Sequence, residues 1–176
     1  MKKLIAILLT LCVLCTSAAV FAEEEPFTFR NGITFGMSLN DVIAAETARY
    51  YELDTEHTWG RVNFTELEYE NVTENNVRAD LKYLFESDKL VAIRVNYETR
   101  DIRFEQVKAD LEEKFGKSAA VDMVALGKGI YAVDDDGRLE LNAEAIICGD
   151  LMIVLELDAD DIDVTFVDLN AAYINA

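Results

Sequence analysis

The sequence predicts an α+β fold: an antiparallel sheet with helices packed on one face, arranged as two tandem helix-plus-meander halves. Three observations predict it. Two segments space their apolar residues at three and four, each is followed by runs in which apolar and polar residues alternate, and the helices and hairpins of the two halves recur at similar offsets.

The first helix starts at Leu39. Ser38 is a good N-cap, Asp41 falls three residues on as in a capping box, and Met37 and Val42 occupy the flanking staple positions. The helix is expected to reach about Arg49, with Leu39, Val42 and Ile43 turned inward. The second helix, 103–115, is set by Phe104, Val107, Leu111 and Phe115, and Gly116 ends it.

Strands follow each helix. Val77, Ala79, Leu81, Tyr83 and Phe85 alternate with polar residues, and so do Val91, Ile93, Val95 and Tyr97. Paired residues share a face, so a two-residue loop would turn these rows to opposite faces. A three-residue loop, Ser87-Asp88-Lys89, pairs Phe85 with Val91, Tyr83 with Ile93 and Leu81 with Val95. The same reasoning in the second half makes Cys148-Gly149-Asp150 a loop between the row ending Ala143, Ala145, Ile147 and the row Leu151, Ile153, Leu155, Leu157. Hairpin centres lie 61 positions apart and the helix valines 65, which predicts a duplicated unit of about sixty residues. Further strands are expected near 62–70 and 121–133, a turn at Asp134-Asp135-Asp136-Gly137, and a last strand at 162–169. The two halves are then 23–100 and 101–176.

Residues 1–22 have the layout of a secretory signal peptide. Lys2 and Lys3 precede an apolar run, and Ala22 stands before Glu23-Glu24-Glu25. An uncleaved anchor is the alternative, because the run is just long enough to span a membrane. Leu11 and Leu14 precede Cys12 and Cys15, which argues against a lipid-modified cysteine. Cleavage would leave Cys148 as the single cysteine and deepen the net charge from -18 to -20. The expected location is secreted or in a bacterial cell envelope, with no integral membrane segment after cleavage. With 34 acidic against 16 basic side chains, nucleic acid and anionic lipid surfaces are not expected partners.

The segment Asn31-Gly32-Ile33-Thr34-Phe35-Gly36-Met37-Ser38-Leu39-Asn40-Asp41-Val42 resembles the opening of the SmpA/BamE outer-membrane lipoproteins and of β-lactamase inhibitory proteins. In that group a Gly-Met-Ser/Thr segment starts a helix. The strand, turn and strand at 81–90 are similar to those that follow it there. The resemblance implies a non-catalytic protein-binding module and, for the inhibitor branch, a tandem repeat with a concave sheet. This chain lacks the lipid-modified cysteine of one branch and the repeat disulfides of the other, so no binding residue is carried over.

Catalytic signatures are sparse. His57 is the only histidine, and pairing it with Cys148 would require the two halves to bring them together. No nucleophile elbow, zinc motif or phosphate loop occurs, and no catalytic residue is assigned. Calcium is the cofactor candidate, with Asp158, Asp160, Asp161 and Asp163 as the acid cluster that would hold it; otherwise no cofactor is expected. Trp59, among the strand aromatics that could stack on sugars or grip a partner, and Ile146, Met152 and Val154, which make the second hairpin apolar on both faces and in need of cover from the chain or a partner, are the partner-binding candidates. The function expected is therefore a secreted, non-enzymatic interaction module that engages a protein partner through its sheet face or rim. A calcium-responsive or carbohydrate-binding surface and a small hydrolase are the alternatives.

Overall fold

The computed structural model describes residues 26–50, 52–59, 62–122, 142–158 and 160–171. The signal peptide expected at 1–22, most of the strand expected at 121–133 and the turn expected at 134–137 lie outside these residues.

Among the described residues, eight strands form one open antiparallel sheet. They are β1 (Glu52–Trp59), β2 (Val62–Glu74), β3 (Val77–Glu86), β4 (Lys89–Glu98), β5 (Ala119–Asp122), β6 (Asn142–Cys148), β7 (Leu151–Leu157) and β8 (Asp161–Asp168), in the order β1-β2-β3-β4-β8-β7-β6-β5. β4 and β8 meet at the centre, in register from Ala92↔Val167 to Glu98↔Asp161. With helices α1 (Leu39–Ala45) and α2 (Phe104–Phe115), the molecule is α+β, as its alternating patterns predict.

The Ser38 N-cap forms at α1, with Asp41 bonded to its hydroxyl rather than to its backbone N–H. Ser38 Oγ accepts from the Asp41 N–H at 3.2 Å and donates to Asp41 Oδ2 at 2.7 Å. This helix ends at Ala45 rather than near Arg49, because Glu46 turns extended (φ −68°, ψ 134°) and sends its carboxylate into the interior. α2 matches its apolar spacing, and Gly116 terminates it at φ 107°, a conformation that favours glycine.

Among the described residues, buried side chains form two clusters. The larger contains Leu81, Tyr83, Ile93 and Ile153 of the sheet together with Val42 of α1 and Val107 of α2. The smaller lies on the opposite pleat, with Phe64, Leu84, Ala92, Met152, Val154 and Val167.

Both hairpins differ from expectation in their turns. Ser87 and Asp88 take φ of 50° and 61°, a two-residue primed turn that suits the twist of the strands. Phe85 therefore pairs with Leu90 rather than Val91, and a bulge at Val91 supplies the extra residue that restores Tyr83↔Ile93 and Leu81↔Val95. No such bulge corrects the second hairpin. The turn is Gly149-Asp150, Gly149 has φ 57°, and the register runs Cys148↔Leu151, Ile147↔Met152, Ile146↔Ile153 and Ala145↔Val154. The one-residue shift inverts β6, so Ile146 is 1 % exposed while Ile147 is 48 % exposed. Cys148 closes the strand rather than occupying the turn. β1 was not expected, and it places His57 within a strand opposite Phe64.

Candidate functional site

The pleat turns every second residue of the central strands away from Tyr83 and α2. On that face the register aligns Glu68, Lys82, Arg94 and Thr165 in one row, and Asp80, Asn96, Asp163 and Glu156 in the next, followed by Glu98 with Asp161. Carboxylates surround the two central cations. Lys82 Nζ lies 3.3 Å from Glu66 Oε1 and 3.6 Å from Glu68 Oε1, and Asn96 Nδ2 donates to Asp163 Oδ1 at 3.0 Å. Burial works against the Lys82 ammonium, but Glu66 and Glu68 outweigh it and its pKa rises. Burial, with Glu66 and Glu70 adding to it, raises Glu68 despite Lys82. Asp161 is raised by burial and then by the repulsion of Asp163, Asp160, Glu98 and Asp158.

On the other face a polar cluster is built into the interior. The Glu46 side chain is fully buried, with Oε1 at 3.2 Å from Arg30 Nε and accepting from Asn31 Nδ2 at 2.8 Å. Arg30 also donates from Nη1 to Glu74 Oε2 at 3.3 Å and to the Thr73 carbonyl at 3.2 Å. The Tyr83 hydroxyl and Glu46 Oε2 are both buried without a well-formed hydrogen bond. Burial first, and the Glu46 charge second, push the Tyr83 hydroxyl well above the ordinary tyrosine value. Burial likewise raises Glu74 against the pull of Arg30.

Beside this cluster a partly open pocket of about 590 Å³ lies between α2 and the sheet. Val95, Tyr97, Val164, Phe166, Val107 and Leu111 form much of its wall, and Arg30, Glu74, Asp110 and Lys114 also border it. A second cavity, of about 520 Å³, reaches Phe35, Leu151 and Cys148, and Phe27 and Phe115 line both.

The structure places the sequence-derived candidates as follows. Met152 and Val154 pack in the smaller cluster and Ile146 in the larger, so none of the three forms an exposed patch. Trp59 ends β1, paired with Val62. Asp158 and Asp161 exchange backbone hydrogen bonds across the turn between β7 and β8, at 3.0 and 3.2 Å. The Asp160 carbonyl accepts from Thr99, and the Asp163 carboxylate from Asn96. Among the described residues, no three His, Cys, Asp or Glu side chains gather as a metal site. No helix there is long and apolar enough to cross a membrane. Sequence reasoning missed the Glu46 cluster and the cavity, since both depend on contacts between distant segments. Comparison with protein-family models, curated proteins and solved structures gives no match.

Proposed function

We propose that the chain is a secreted or envelope-located, non-enzymatic interaction module that engages a basic protein partner over the acid-bearing face of its sheet. The observation that carries this reading is the ladder of half-buried carboxylates around Lys82 and Arg94. Burial first, and neighbouring carboxylates besides, raise Glu68 and Asp161, and a cationic surface would relieve the repulsive part of that rise. The net charge of -18 would speed the approach of such a partner. Polar rather than apolar contact is favoured, because Ile146, Met152 and Val154 are spent in the cores.

The order helix, then four strands, occurs twice among the described elements, and the two four-stranded groups join through β4 and β8. This supports a tandem reading with both helices on one face, in keeping with the resemblance to small binding modules. The matching turns then become Asn75-Asn76 and Gly149-Asp150, which set a longer repeat than sixty residues.

The test is capture from native culture with the wild type and with a Glu68→Gln, Glu156→Gln, Asp163→Asn variant, at low and high salt. A protein retained by the wild type at low salt, and lost both in the variant and at high salt, is the expected result. Recovery of an identical set by the variant would remove the assignment. A calcium-responsive surface is the second reading, favoured by the mutual repulsion at Asp161. It requires millimolar calcium, but not magnesium, to raise the melting temperature.

A further inference from the structure

We infer that the space beneath α2 is a binding site for a single-chain amphiphile, with the alkyl chain in the cavity and an uncharged or zwitterionic head at its polar border. The partly open pocket between α2 and the sheet, of about 590 Å³, is within the size range of small-molecule sites. Of this amphipathic helix Val107 is fully buried, while Leu111 and Phe115, packed at the edge of the core, are only partly buried and also line this space.

An extended chain fits better than a compact molecule. The second cavity continues past Phe27 and Phe115, which line both, so the two spaces form an interrupted trough. Phe27 is the interruption. Its ring centroid lies 5.2 Å from that of Phe35, 5.3 Å from Phe166 and 6.2 Å from Phe115. These are its holds: among the described residues, 26–28 make no backbone hydrogen bond to the helices or sheet, and the tether resumes with Phe29 N to Ile33 O and the Arg30 ion pairs.

Charge selects the head. Arg30 and Lys114 stand at the border with Glu74 and Asp110, two of each sign, while the protein as a whole carries -18. An anionic head meets long-range repulsion, and a neutral or zwitterionic one meets both donors and acceptors.

The experiment uses the neutral fluorophore N-phenyl-1-naphthylamine on the purified protein, displaced by decyl maltoside, decylphosphocholine or decanoate below their micelle-forming concentrations. Saturable fluorescence, displaced by the first two at least about tenfold more effectively than by decanoate, is expected. Val107→Trp fills the cavity and should weaken probe binding at least about tenfold, whereas Ile147→Trp, at an exposed position of β6, should leave it unchanged. Phe27→Ala joins the two spaces and should shift the preferred chain from decyl to longer homologues; this readout decides the matter if Val107→Trp fails to fold. Absence of saturable binding, equal loss in the Ile147 variant, or an unchanged chain-length preference in Phe27→Ala would overturn the assignment. None of these outcomes bears on the acid-bearing face, which is read out separately by partner capture.

Discussion

Arg30 Nε stands 3.2 Å from Oε1 of Glu46, whose side chain is completely withdrawn from solvent. The pair ties the 3₁₀ turn at Arg30–Gly32 to the residue that ends α1, and Glu74 of β2 completes it. Removing one member of a buried pair leaves the other charge uncompensated, at a cost of about 3–5 kcal/mol. Arg30 keeps Glu74 and the Thr73 carbonyl, so Glu46→Ala should cost less, about 2–3 kcal/mol, read as a lower urea midpoint at unchanged slope. A loss below ~1 kcal/mol would show that the pair contributes little beyond its desolvation.

Tyr83→Phe should behave oppositely. The hydroxyl is buried without a well-formed partner, so deleting it removes a desolvated group and no net hydrogen bond. Stability should be unchanged or higher. Destabilisation by more than ~1 kcal/mol would mean that the hydroxyl donates to Glu46 in solution.

The register of β6 is tested by neighbouring isoleucines. Ile146 packs with Leu151, Ile153 and Leu155, while Ile147 is half exposed. Ile146→Ala should cost about 2–5 kcal/mol, and Ile147→Ala no more than about 0.5 kcal/mol. The reverse order would restore the three-residue loop that alternation predicts.

That hairpin also marks the boundary of what is legible in the chain. α2 is legible because four apolar residues repeat along one stripe and Gly116 supplies a stop, and the capping of α1 is legible because Ser38 and Asp41 need only local geometry. Alternation found the faces of β3 and β4 because their reverse pleat is mostly polar. It could not choose between registers in β6 and β7, where Ile146 and Ile147, and Met152 and Ile153, are apolar on both faces. The glycine at the first turn position was the better guide. β1 went unread because Glu52-Leu53-Asp54-Thr55-Glu56 offers a single apolar residue. The carboxylate ladder was visible only as composition: which acids share a face depends on strand pairing, and Glu46 meets Arg30 only after the chain folds back.

Acidity itself should move stability in two directions. Hydrogen bonds from Lys117, at 2.5 Å, and from Ser118 hold Glu112 down to about 2 against an ordinary 4.5, and Lys108 with Ser118 lowers Glu144. A carboxylate with a depressed folded pKa contributes stability that is full above the unfolded value and lost as the pH falls through the folded one, here from about 4.5 towards 2. Glu68, Glu74 and Asp161 have the opposite sign. Their raised pKa values penalise the folded state while they are charged, and the penalty disappears as the pH drops through the raised values towards the ordinary ones. Urea unfolding should therefore show stability rising from pH 7 to a maximum just above the ordinary carboxylate range, then falling below it. Glu112→Gln should flatten the acid limb, and Asp161→Asn the rise. A stability that declines steadily from pH 7 would contradict the burden of charge assigned to the sheet face.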